Sequence, residues 1–168
     1  MPQQLDDLIF DRTQSDVNRV QSLTQKMIAG TATEAEKAEW LGGKMKGAYN
    51  AADLNRVGEA VEYLTDTLQS LGYSITTAPK TDWTEADIPM QAQMETYLEN
   101  IQTLRNRLPY VAPDAPADMT GLTYQEANNI EEILYTLERV LLAMQENFKL
   151  RQANTLFMIA GGVFNNAG

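Results

Sequence analysis

Leu54, Val57, Val61, Leu64, Leu68 and Leu71 recur every three or four positions, and an apolar stripe of that period describes an amphipathic helix that must find a partner surface. The spacing predicts a helix from Asn50 to Leu71, with Gly72 just past its end. Gly58 falls inside this helix at a cost of about 1 kcal/mol relative to Ala. Two readings stand there: another backbone packs closely against it, or an exposed glycine is tolerated.

The same logic places the other helices. Val17, Val20, Leu23, Met27 and Ile28 share a face between Thr13 and Gly30, with Thr13 and Asp16 in a capping arrangement. A short helix opens at Thr33, where Glu36 completes a capping box, is anchored by Trp40 and Leu41, and ends at Gly42 and Gly43. After an extended stretch, Tyr73 to Thr77, and the connector PKTDWTEADIP, Pro89 is expected as the first residue of a further helix. Its buried face comprises Met90, Met94, Tyr97, Leu98, Ile101, Leu104 and Leu108, and Pro109 stops it. The segment from Pro109 to Gly121 is too rich in proline for regular structure. Thr123 and Glu126 cap the last helix, whose stripe runs from Ile130 to Phe148 and closes on Lys149 and Arg151.

These elements predict an all-α fold, an up-and-down bundle of three long helices plus a short one, with extended apolar segments at both termini. The expected organisation is an N-terminal extended segment over 1–12, a helical bundle domain over 13–151 and a C-terminal apolar assembly segment over 152–168.

Composition narrows the chemistry. The 168 residues contain no His and no Cys, so zinc sites, Cys nucleophiles and Ser-His-Asp triads have no residues to use. A formal net charge of -10, with no concentrated basic face, argues against nucleic acid as a partner. The N-terminus lacks the pattern of a secretory signal, and no window approaches the roughly 20 apolar residues of a membrane span. No cofactor, metal site or membrane insertion is expected. Paired carboxylates would be the remaining hydrolytic option, but Glu131, Glu132 and Glu138 read as a solvated helix face. Asp82, Glu85 and Asp87 crowd one connector without the spacing of an EF-hand loop.

Two apolar runs remain outside the helical stripes. Leu8, Ile9 and Phe10 form one; Leu156, Phe157, Met158, Ile159, Val163 and Phe164 belong to the other. Uncharged runs of this kind need cover, either from each other or from a neighbouring subunit, and contact between subunits is the expectation here. Trp83 and Tyr110 are the candidate ligand contacts, with Trp83 read first as a plug over the core; Tyr63, Tyr97 and Tyr135 fall within helices.

The runs LIFDRTQSDV, KGAYNAADLNRVGEAVEYL, KTDWTEADIPMQAQMETYLENI and LTYQEANNIEEIL resemble a helical family of phages and prophages of Gram-positive bacteria. The resemblance extends from Leu8 to Phe148 and implies a virion structural protein of the tail, baseplate or fibre region. It implies no catalytic residue. A non-enzymatic subunit is therefore expected, made in the host cytoplasm and built into the virion, that self-associates and contacts other virion structural proteins. A receptor- or carbohydrate-binding module of the tail tip, a head-decoration protein and a carboxylate-dependent cell-wall hydrolase are the competing expectations.

Overall fold

A computed structural model describes the backbone of residues 5–163 and the side chains of residues 5–152. Among the described residues the fold is all-α: five helices and no strand. They are α1 (Gln14–Ala29), α2 (Glu34–Leu41), α3 (Ala51–Ser70), α4 (Gln91–Arg105) and α5 (Tyr124–Val163).

Local chemistry sets where each begins. Thr13 accepts from Asp16 N while its own N–H donates to the Asp16 carboxylate at 2.8 Å, so two orphan donors of the first turn are met reciprocally. Thr33 with Glu36, Asn50 with Asp53 and Thr123 with Glu126 repeat the device at α2, α3 and α5. At α4 the cap differs from expectation. Met90 N donates to Gln93 Oε1 at 2.9 Å, which makes Met90 the N-cap and leaves Pro89 one residue outside the helix. Gly30, at φ 67°, ends α1 in the left-handed conformation that glycine adopts without a Cβ penalty.

α3, α4 and α5 pack against one another, whereas α1 packs chiefly on α2. The main core is built from the α3 stripe, from Leu98, Ile101 and Leu104 of α4, and from Ile130, Ile133, Leu134, Leu137 and Leu141 of α5. Ile75 and Trp83 of the α3–α4 connector join it, as do Leu5 and Leu8 of the N-terminal segment. Leu23 and Ala32 are buried outside this cluster, in the small interior of the α1–α2 pair. Ion pairs Arg19–Glu39 at 2.6 Å and Lys26–Glu36 at 2.5 Å brace that pair from the solvent side. A Cβ at Gly47 would lie 2.1 Å from Asp16 O, so the α2–α3 connection passes against the start of α1 at a distance only glycine permits.

Gly58 answers the question the sequence left open. It is buried, and a Cβ there would sit 2.4 Å from Lys80 O: the backbone of the α3–α4 connector lies directly on the helix.

Three expectations are corrected. Glu131 and Glu138, read as solvated, are 0% and 1% exposed, because α5 is covered by α3, by α4 and by the N-terminal segment and buries a wider arc than its apolar stripe; Glu132 is exposed. The stretch beyond residue 152, expected to be extended, is helical in backbone as far as Val163. No Gly or Pro stands between Gly121 and Gly161, so nothing in that stretch stops the helix that Thr123 starts. Finally, α4 ends at Arg105 rather than at Pro109, and Arg105 turns back to bond Pro113 O at 2.6 Å and Asp114 at 2.8 Å, fastening the proline-rich loop to the helix.

Candidate functional site

The most densely bonded polar cluster joins three segments remote in sequence. Arg12 Nη2 lies 2.8 Å from Asp53 Oδ1 and 2.6 Å from Glu131 Oε1; Arg56 lies 2.5 Å from the same Asp53 oxygen and 2.9 Å from Glu131. Ile9 N donates to Glu131 Oε2 at 2.7 Å, and Arg12 Nη1 donates to Ile9 O. Asn128 completes the clasp by accepting from Arg12 N and donating to Arg12 O, both at 3.0 Å.

Two guanidinium and two carboxylate groups make this cluster neutral, which is what allows four charged side chains to leave water together. Burial works against the charge on Arg56, yet the bonds and charge of Glu131 and Asp53 outweigh it and raise its pKa. Beside the cluster, Arg12 stacks over the Tyr49 ring at 5.3 Å, and the Tyr49 and Tyr97 hydroxyls are 2.6 Å apart. Burial, chiefly, raises both phenols. Each charge is answered by another charge of the cluster, so the arrangement is a clasp: it pins the N-terminal segment across α3 and α5.

A second feature is open. A cleft of about 430 Å³ separates the α1–α2 pair from the main core, with Val20, Trp40 and Met45 on one wall and Leu54, Trp83 and Pro89 on the other. Glu85 and Asp87 lie in the same lining, which contains no Lys or Arg. Asp87 caps its own turn, accepting from Thr84 N at 2.7 Å, and this bond lowers its pKa first among the causes. Trp83 also lines a second cavity, of about 320 Å³, beside α4. It is 5% exposed, Lys80 Nζ lies 4.8 Å over its ring, and its indole N–H has no acceptor among the described residues.

Tyr110 is elsewhere. It is half-buried against the core with its hydroxyl 3.5 Å from Ile133 O, and burial pushes its phenol up to about 12. The two candidate ligand contacts are not brought together, since Tyr110 lines neither of Trp83's cavities.

Among the apolar run at 8–10, Leu8 is occupied by the chain's own core, Ile9 is half-buried, and Phe10, 37% exposed, packs on Tyr135 with ring centroids 5.0 Å apart. The side chains of Leu156, Phe157, Met158, Ile159, Val163 and Phe164 lie outside the described residues. The approach to them is described. Among the described side chains of α5, Leu141 is the last that is fully buried; beyond it Phe148 is 64% and Leu150 58% exposed. The side chains from Glu146 to Gln152 are all exposed, so the helix leaves the core there and these residues form an arm.

Sequence reasoning passed over Arg12, Asp53 and Arg56, and it treated Trp40 only as a helix anchor. Asp53 and Arg56 stand three apart on α3, a spacing that brings side chains together, and that signal was present in the chain. Among the described residues no group of three or more Asp or Glu is placed to hold a metal ion, and no helix is long and apolar enough to cross a membrane. Comparison with protein-family models, with curated proteins and with solved structures gave no match.

Proposed function

We propose that this protein is a non-enzymatic structural subunit of a phage virion, acting in the tail, baseplate or fibre region through protein–protein contacts. One observation carries the reading: α5 spans 40 residues, about 60 Å at the helical rise, and beyond Leu141 it leaves the apolar side chains of Phe148 and Leu150 exposed. The mutually packed α3, α4 and α5, taken as an up-and-down bundle with the short α2 alongside, form the rigid block. The arm is the attachment element. It presents Phe148 and Leu150, and the apolar sequence after them, to copies of the same chain or to other virion structural proteins. The four sequence runs that resemble phage virion proteins give the setting, and the protein made in the host cytoplasm would end in the particle.

The test is light scattering with size-exclusion chromatography on the full chain and on a chain ending at Gln152. A defined oligomer that becomes a helical monomer on truncation is the expected result. Equally soluble monomers in both cases would refute the assembly role of the arm.

A further inference from the structure

We propose that the cleft between the α1–α2 pair and the main core is a docking site for a basic peptide segment of a partner protein, an Arg or Lys flanked by apolar residues. It is a different surface from the α5 arm, and it stands or falls separately.

The size is that of a binding site for a few side chains, about 430 Å³. Its charge is one-sided: Glu85 and Asp87 with no cation in the lining, on a chain of net charge -10 that draws basic segments toward it. Glu85 makes no hydrogen bond or ion pair among the described residues, unlike Asp82, which pairs with Lys80, and Asp87, which caps Thr84. A carboxylate left open at an apolar cleft favours a guanidinium or ammonium group over water as that group is desolvated.

The aromatic content points the same way. The protein already stacks its own cations on two aromatic rings of this lining, Arg12 over Tyr49 and Lys80 over Trp83. Trp40 carries none among the described residues, although tryptophan is the strongest ring for such a contact. Around the cleft, Leu41 is 76% exposed, and Ile88 and Met90, on either side of Pro89, are 86% and 68% exposed. Apolar residues adjoining the partner's cation would cover them. A sugar would have Trp40 alone to stack on, because Trp83 is 5% exposed and offers no open ring face.

Trp40 and Trp83 are the two tryptophans of the chain and both line this cleft, so intrinsic fluorescence reports on it; Trp83 also lines the cavity beside α4, and Glu85→Gln, which touches the cleft and not that cavity, tells the two apart. The full chain is titrated with an end-blocked peptide of alternating Leu and Arg, with the same peptide carrying Glu in place of Arg, and with an N-acetylglucosamine oligosaccharide. A saturable change with the Arg peptide only is expected. Glu85→Gln, at an exposed position, should weaken it roughly tenfold, the usual worth of a bond to a charged group, while Glu99→Gln, exposed on α4, leaves it unchanged. Equal weakening by both substitutions would show diffuse charge attraction and overturn the proposal. So would a saturable response to the Glu peptide or to the sugar.

Discussion

Glu131→Gln tests the clasp most directly. Its side chain is 0% exposed and accepts from Ile9 N at 2.7 Å, Arg12 Nη2 at 2.6 Å, and Arg56 Nε and Nη2 at 2.9 Å each. The substitution keeps the shape, turns one acceptor oxygen into a donor facing other donors, and leaves two guanidinium groups with Asp53 alone. A neutral buried cluster thus acquires a net charge of about +1, and breaking a buried pair in this way costs about 3–5 kcal/mol. That is a large share of the roughly 5–15 kcal/mol that holds a domain folded. Urea unfolding followed by far-ultraviolet circular dichroism should show a markedly lower midpoint with an unchanged slope. The charge argument makes a sharper claim for the double variant Arg12→Met/Glu131→Gln, which restores neutrality. Its loss should fall short of the sum of the two single losses by about 2 kcal/mol, within the range found for directly bonded residues. Additive losses, or a Glu131→Gln penalty below about 1 kcal/mol, would mean that the cluster does not hold the N-terminal segment.

Gly58→Ala should lower the urea midpoint even though alanine is the better helix former by about 1 kcal/mol. The new Cβ would meet Lys80 O at 2.4 Å, and overpacking of that kind costs about 1–3 kcal/mol; an unchanged or higher midpoint refutes the close approach. At α2, the Lys26 hydrogen bond first, with the Thr33 backbone bond behind it, holds the Glu36 carboxyl at about 2 against an ordinary 4.5. A depressed folded pKa contributes stability that is present above about 4.5 and is lost as pH falls toward 2. The wild-type midpoint should therefore fall more steeply over that interval than that of Glu36→Gln, with a difference that shrinks in salt. Parallel pH profiles would dismiss the Lys26–Glu36 pair as a contributor.

The helices could be read because their signals are local. Thr13 with Asp16, Thr33 with Glu36 and Thr123 with Glu126 each place cap and partner three residues apart, and the structure closes all three boxes. The α3 stripe survives almost intact, only Leu71 reaching 36% exposure at its end. Reading failed where a boundary had to be inferred from a favourable charge. Lys149 and Arg151 suit a helix C-terminus, but suiting an end does not create one. With no Gly or Pro before Gly161, nothing stops the backbone after Arg151, and the helix runs on to Val163.

The clasp was hidden for a different reason. An amphipathic helix with one covered side has a polar face, and Glu131 looked like part of it. α5 is covered on more sides than one, by α3, by α4 and by the N-terminal segment, so the arc that must be buried exceeds the apolar stripe. Glu131 and Glu138, seven residues apart, lie on one line along the helix, and both fall inside that wider arc. Each needs a polar partner there. Glu131 finds Arg56 75 positions away and Arg12 119 away, while Glu138 faces Tyr63, whose phenol burial and then the charge of Glu138 raise. Contacts over such separations leave no periodicity in the chain. A buried carboxylate is legible only once the number of neighbours around its helix is known, and that number is a property of the fold, not of any window of sequence.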